Sequence, residues 1–205
     1  NSFFTGMICD GKKVVCVSQM IQNLVEEKHH LNNCSTIYNP IDLQMLTRMA
    51  TENIDIDSEF IIAIGKYDDN NVKQLDLLIG AYAKSILPQS KIKLLLLGTG
   101  HNPHLIEIAK KLQVEHLVIL RDFDANPHKY LSKAKFLVLS SKYEGFGMVL
   151  VEALANKIPV ISFDCIAGPN EIINHEQNGL LVKNQDFEAM TFSLNRFIQD
   201  QALYN

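Results

Sequence analysis

The sequence predicts a doubly wound α/β fold, in which helices cover both faces of a parallel β-sheet. Short apolar runs alternate with longer helical patterns along most of the chain, as in successive βαβ units. Runs such as Phe60–Ile64 and Leu94–Leu97 are apolar at every position, which is typical of strands buried on both faces. The segment Gln74–Ile86 carries its large apolar side chains on one helical stripe, as a helix that covers such a sheet should.

Four elements precede the regular part of this series. They are a strand over Val14–Val17, a helix over about Gln19–Lys28, a short strand over Thr36–Tyr38 and a helix over Ile41–Met49. The short strand should end at the Asn39-Pro40 dipeptide, because proline has no N–H group for strand pairing.

Six strands and six helices are predicted after residue 58. The strands are Phe60–Ile64, Ile92–Leu97, Leu117–Leu120, Phe136–Leu139, Val160–Phe163 and Leu180–Val182. The helices are Gln74–Ile86, His104–Leu112, His128–Ser132, Met148–Ala155, Asn170–Ile173 and Phe187–Gln199. Because ligands bind such sheets beyond the carboxyl ends of the strands, functional residues are expected just after the strands.

Composition excludes several classes of protein. The chain has 205 residues, 47% of them hydrophobic and 20% charged, which suits a globular core rather than a disordered chain. A formal net charge of −4 gives no general attraction to nucleic acid. The four cysteines form no C-x-x-C pair, and no apolar run is long enough to span a bilayer. We therefore expect a cytoplasmic protein, with the inner face of the membrane as an alternative location.

The segment from residue 140 to residue 155 carries the most informative motif. Gly145 and Gly147 allow close approach of a ligand to the backbone, and the helix predicted to begin at Met148 offers free N–H groups to a phosphate. Glu144 precedes this helix. Glu152 lies one turn inside it, about 6 Å along the axis from the helix start. One nucleotide could therefore place a phosphate at the helix start and a diol at Glu152. The alternative is a glycine-rich turn with two solvated glutamates.

A second candidate site follows the strand Phe60–Ile64. Lys73 falls at the predicted start of a helix, where a cation opposes the helix dipole unless an anion shares the site. Lys66 could converge on the same anion. The alternative is that both are ordinary solvated lysines.

Two further strand ends are less specific. Gly98-Thr99-Gly100 is only a partial match to a dinucleotide-binding turn, since the third glycine is missing, and the pattern favours a simple tight turn. The segment Asp164–Ile173 is either a structural turn forced by Gly168-Pro169 or a loop that faces a ligand. His101 and His104 lack partners at the spacing of metal ligands, so no metal site is predicted.

These motifs together resemble the C-terminal half of the retaining glycosyltransferases of family 4, which have the GT-B architecture. The main match is Glu144-Gly-Phe-Gly-Met-Val-Leu-Val-Glu152, the E-x7-E motif of that family. Flanking matches occur in the order of the family: Lys73-Gln-Leu-Asp-Leu-Leu-Ile79, Leu96-Leu-Gly-Thr-Gly100, Gly168-Pro-Asn-Glu-Ile172 and Asn178-Gly-Leu-Leu-Val182. The resemblance covers about residues 14–199.

The resemblance implies a role for each candidate residue. Glu152 would hold the ribose of a nucleotide-sugar donor, and Glu144 would face the donor sugar. No cofactor or metal is expected at this site. The backbone of Phe146 and Gly147 would contact the sugar, and that of Met148 and Val149 the diphosphate. Lys66 and Lys73 would neutralise the charge of the diphosphate. The base would be contacted by Arg121, Asp122 and Phe123. The family usually has Arg where Lys66 stands, and lysine lacks the bidentate geometry of arginine.

The resemblance also implies how the chain is organised. Residues 1–34 would be the remnant and linker of an N-terminal acceptor-binding domain, and residues 35–205 the donor-binding domain. We expect a part of a longer transferase that uses a UDP-sugar, modifies a glycan or lipid-linked acceptor in surface polysaccharide synthesis, and touches the membrane through its other domain. Such a part should be inactive alone. The alternatives are a nucleotide-sugar epimerase or phosphorylase of the same architecture and a non-catalytic nucleotide-binding module.

Overall fold

The computed structural model describes residues 11–68, 70–99 and 103–200. The first of these ranges opens with a small parallel sheet of two strands, β1 (Val14–Cys16) and β2 (Cys34–Thr36), joined by helix α1 (Gln19–His29). Helix α1 begins where the Ser18 side chain accepts a hydrogen bond from the Ile21 amide at 3.2 Å.

The second sheet has six parallel strands and forms the centre of the fold. They are β3 (Phe60–Ile64), β4 (Lys93–Leu97), β5 (Val118–Arg121), β6 (Leu137–Leu139), β7 (Val160–Phe163) and β8 (Gly179–Val182). Their spatial order is β5-β4-β3-β6-β7-β8. The direction of winding reverses between β3 and β6, so a crevice opens beyond the carboxyl ends of these two strands.

Seven helices follow α1 in the described residues. They are α2 (Leu43–Met49), α3 (Leu75–Lys84), α4 (Pro103–Lys111), α5 (His128–Leu131), α6 (Met148–Ala155), α7 (Pro169–Ile172) and α8 (Phe187–Gln199). None of the described helices is long and apolar enough to cross a membrane.

Helices cover both faces of the six-stranded sheet, which confirms the predicted fold class. In β3, Ile61 and Ala63 join a core built with α3, α4 and α8. Phe60 and Ile62 point the other way, into a core built with α5 and α6. All four residues are at most 1% exposed, and this burial on both faces explains why the strand lacks polar alternation.

The structure shifts some predicted boundaries. Strand β2 is Cys34–Thr36 rather than 36–38, because its register pairs Cys34 with Val14 and Thr36 with Cys16. The small sheet therefore ends two residues beyond the boundary predicted at residue 34. Helix α3 begins at Leu75 because Gln74 has a left-handed backbone, with φ of +49°. It ends at Lys84 rather than residue 86, since the Ser85 hydroxyl donates to the Tyr82 carbonyl.

Candidate functional site

A cleft of about 400 Å³ lies at the reversal of the sheet, between the loops that follow β3 and β6. Six of the predicted site residues line it: Lys73, Glu144, Phe146, Gly147, Met148 and Val149. The structure thus brings together two segments that lie about 70 residues apart in the sequence. Parallel strands that end at the same edge of the sheet account for this convergence.

The N-terminus of α6 forms one wall of the cleft. Gly147 precedes the helix with φ of +90°, a backbone conformation that favours glycine, and no side chain caps the helix start. In the described part of the chain, the N–H groups of Met148 and Val149 donate to no backbone carbonyl. These donors and the positive end of the helix dipole suit an anion such as a phosphate.

A charged pair forms the centre of the cleft. The Lys73 ammonium lies 2.5 Å from Oε1 of Glu144, and the Ser141 hydroxyl donates to the same oxygen at 2.7 Å. The Lys73 and Glu144 side chains are 25% and 12% exposed, so solvent reaches both but does not surround them. Glu144 is therefore the carboxylate that pairs with Lys73 in this structure.

The backbone on either side of Lys73 is tied to the loop after β6. The Ser140 hydroxyl donates to the Lys73 carbonyl at 2.7 Å, and the Lys142 amide donates to the Val72 carbonyl at 2.8 Å. These bonds connect the loop that follows β3 to the loop that follows β6, beyond the part of the sheet where the two strands pair. They fix the approach of Lys73 to Glu144.

Glu152 lies on α6, one turn behind the cleft wall. It is half-buried, and burial raises the pKa of its carboxyl group above the usual value. Within the described residues no hydrogen bond or ion pair engages this carboxylate. A half-buried carboxylate in this state is suited to accept hydrogen bonds from a ligand.

The other predicted residues do not line the cleft. Lys66 is 68% exposed at its side chain and pairs with Asp68 at 3.4 Å. Arg121 pairs with Asp55, and Phe123 is 69% exposed. The Arg121 carbonyl accepts from the Gly98 amide at 3.1 Å, which places this strand end beside the β4 loop.

Asp122 lies near the loop that follows β3. Its charge, after the larger effect of burial, contributes to raising the pKa of Tyr67. The structure therefore leaves the base contacts of residues 121–123 as a prediction.

The segment 164–173 makes structural contacts with the glycine-rich loop and with α1. A Cβ on Gly168, where φ is +99°, would lie 1.9 Å from the Phe146 carbonyl oxygen. The Glu171 carboxylate accepts hydrogen bonds from the Gln19 and Met20 amides at 2.8 and 2.9 Å, and so caps α1. It also accepts from the Tyr38 hydroxyl at 2.9 Å.

Apart from the residues at the ends of β3 and β6, the cleft has two lining residues that were not predicted. Val17 and Asn39 also line the cleft, and both follow strands of the small sheet. The Tyr38 ring packs against the Phe146 ring at 5.3 Å between centroids, which brings this segment to the glycine-rich loop. Applying the strand-end rule to the small sheet would have indicated them.

Parts of two predicted loops lie outside the described residues. In the turn after β4 these are Gly100, His101 and Asn102, and in the loop after β3 it is Asp69. Across the described ranges, no group of three or more His, Cys, Asp or Glu side chains could hold a metal ion.

The chain belongs to the glycosyltransferases, because the sequence model of the family "Glycosyl transferases group 1" matches residues 47–205. It is 35% identical over 171 residues to the Campylobacter jejuni subsp. jejuni serotype O:2 N-acetylgalactosamine-N,N'-diacetylbacillosaminyl-diphospho-undecaprenol 4-alpha-N-acetylgalactosaminyltransferase. That match covers 83% of this chain and 46% of the relative. The Escherichia coli K12 lipopolysaccharide 1,6-galactosyltransferase is 30% identical over 188 residues, which is 88% of this chain and 49% of the relative. The chain thus spans about half the length of these relatives.

Solved structures show the same fold. Anabaena HepE in complex with UDP superposes with a TM-score of 0.84 at 19% identity, over 99% of this chain and 59% of that one. The apo lipopolysaccharide outer core galactosyltransferase WaaB superposes with a TM-score of 0.76 at 22% identity, over 93% of this chain and 54% of that one.

Proposed function

We propose that the chain is the donor-binding part of a retaining family 4 hexosyltransferase that takes a sugar from a UDP-sugar. The observation that carries the proposal is the cleft at the sheet reversal, where an uncapped helix start lies beside the Lys73–Glu144 pair. Such a cleft offers positive charge to a diphosphate and a carboxylate to sugar hydroxyls within one site.

Each part of the donor has a partner in this proposal. The amides of Met148 and Val149 and the Lys73 ammonium bind the diphosphate, and Lys66 joins them once it leaves Asp68. Glu144 and the backbone of the Phe146-Gly147 dipeptide face the sugar. Glu152 accepts hydrogen bonds from the ribose hydroxyls, and residues 121–123 contact the base.

Catalysis in this proposal depends on stabilising the leaving diphosphate. Negative charge grows on the diphosphate as the bond to the sugar breaks, and helix amides together with lysine ammonium groups are preorganised to stabilise it. No cofactor or metal is required, because these groups supply the positive charge that a divalent cation would otherwise bring.

The acceptor side of the reaction is proposed from the relatives. The names of the two relatives refer to a diphospho-undecaprenol-linked glycan and to lipopolysaccharide, so the acceptor here is a glycan or lipid-linked glycan of surface polysaccharide synthesis. A second, N-terminal domain would bind it and associate with the membrane surface, residues 1–34 would link to that domain, and residues 35–205 would bind the donor. On this account the 205-residue chain binds UDP without transferring sugar by itself.

The site assignment is tested by two substitutions and two ligands. Glu152→Gln removes the charge from hydrogen bonds to the ribose, each worth about 1.5–3 kcal/mol, so affinity for UDP and for uridine should fall about tenfold or more. Lys73→Ala removes a phosphate partner, so affinity for UDP should fall while that for uridine stays nearly constant. Isothermal titration calorimetry measures all four affinities.

Two distant exposed residues provide matched controls. Glu188→Gln on α8 and Lys84→Ala at the end of α3 make the same chemical changes away from the cleft and should leave both affinities unchanged. If Glu152→Gln unfolds the chain and leaves UDP affinity intact, Glu152 is structural and the assignment is wrong. Equal loss of UDP and uridine binding in Lys73→Ala would contradict the phosphate role.

A further inference from the structure

Gln74 connects Lys73 to helix α3 in a backbone conformation that glutamine rarely adopts. Its φ is +49° and its ψ is 42°, in the left-handed region, although the residue is 2% exposed and directly precedes the helix. Its side chain makes no capping hydrogen bond to the helix start. Other contacts must therefore hold this conformation.

The amide of Gln74 is instead paired with the amide of Gln185. Each side-chain nitrogen donates to the oxygen of the other residue, and both distances are 2.8 Å. Gln185 lies between β8 and α8, 111 residues further along the chain. Its neighbour Asp186 caps α8 by accepting from the Ala189 amide at 2.9 Å, so the loop that carries Gln185 is itself anchored.

The hydrogen-bonded pair of Gln74 and Gln185 is directly connected to Lys73, whose side chain lines the cleft. Gln74 follows Lys73 directly, and the Lys73 carbonyl is held from the other side by the Ser140 hydroxyl at 2.7 Å. A change in the backbone at Gln74 would redirect Lys73, whose ammonium lies 2.5 Å from Glu144. Gln185 does not line the cleft, and its contact with Gln74 connects it to Lys73, which does.

We infer that Gln185 is a positioning residue, which holds Gln74 in its left-handed conformation and so places Lys73 at the diphosphate of the donor. The inference rests on the proposed function, since it assigns a purpose to the position of Lys73. It adds to the site a residue from the loop between β8 and α8, outside the E-x7-E segment.

Gln185→Ala tests this role, because position 185 is exposed and the substitution removes both hydrogen bonds to Gln74, together with one to the neighbouring Asn184. Affinity for UDP should fall about three- to tenfold, as expected for the loss of neutral hydrogen bonds, and affinity for uridine should not change. Gln113→Ala is the matched control. Gln113 is an exposed glutamine with φ of +59° whose side chain makes no hydrogen bond to the described residues, so its replacement should leave UDP affinity unchanged.

A rescue variant separates positioning from general loss of structure. Glycine adopts a left-handed backbone without the steric cost of a Cβ, so adding Gln74→Gly to Gln185→Ala should restore much of the UDP affinity. The inference is overturned if Gln185→Ala binds UDP like Gln113→Ala, if it weakens UDP and uridine equally, or if Gln74→Gly restores nothing.

Lys73→Ala in the same titrations separates this inference from the proposed function. If Lys73→Ala weakens UDP binding and Gln185→Ala does not, Gln185 has no positioning role and the donor site stands. If the parent chain fails to bind UDP, or if Lys73→Ala binds it like the parent, the proposed function and this inference fall together.

Discussion

At the scale of single residues, the sequence indicates which charged groups matter but not which groups meet. A lysine near a helix start opposes the helix dipole, so the sequence predicts an anion beside Lys73. In the structure that anion is Glu144, at 2.5 Å. The two residues are 71 positions apart, so no local pattern could pair them. Lys66 pairs with Asp68, two residues away, and its place at the same anion as Lys73 stays a prediction.

His128 gives a stability prediction that is independent of the donor site. It is 6% exposed on α5, its Nδ1 atom has no hydrogen-bond partner in the described structure, and burial lowers its pKa from the usual 6.5. Below pH 6.5 the unfolded chain therefore takes up a proton more readily than the folded chain. Stability should fall as the pH drops below 6.5, since the unfolded state then binds more protons.

Thermal melts from pH 7.5 to pH 5 measure this effect. His128→Phe removes the titrating group and should flatten the decline in melting temperature over that range. His116→Phe changes an exposed histidine and should keep the parent slope. A parent slope that persists in His128→Phe would show that another group causes the decline.

At the scale of elements, the sequence predicts which loops follow the strands, but it does not predict which of these loops and strands contact one another. The apolar run before Ser140 and the glycines after it were enough to place helix α6 at Met148–Ala155, as observed. That Gly168 packs against the Phe146 carbonyl depends on the neighbouring positions of β6 and β7 in the sheet. Strand β2 was misplaced for the same kind of reason, because its pairing with β1 decides its register.

Gly168→Ala should disturb the glycine-rich loop. The new Cβ would lie 1.9 Å from the Phe146 carbonyl oxygen, and φ of +99° is unfavourable for alanine, so the loop must shift. Calorimetry should show weaker UDP binding, and the melting temperature should fall.

Gly80→Ala in α3 is the control for this change. An added Cβ there has no heavy atom within 4 Å, and alanine stabilises a helix interior by up to about 1 kcal/mol relative to glycine. Its melting temperature should stay constant or rise. Gly168→Ala with parent UDP affinity and parent melting temperature would show that the contact with Phe146 does not support the site.

At the scale of the whole molecule, the sequence was sufficient for the fold class. Strands such as β3, apolar throughout, and the amphipathic helix α3 predicted a parallel sheet covered on both faces, which the two cores confirm. The order of the six strands could not be read from periodicity, because alternating strands and helices are compatible with more than one winding. The reversal between β3 and β6 is nevertheless what creates the cleft.

Binding of UDP to the 205-residue chain, with and without EDTA, is the most direct test of the central claim that this cleft is a metal-independent donor site. We expect weak, saturable binding of one UDP per chain that chelation does not change, because Lys73 and the start of α6 supply the positive charge. Isothermal titration calorimetry gives both the stoichiometry and the affinity. Absence of UDP binding would contradict the donor site, and binding that EDTA abolishes would contradict its independence from metal.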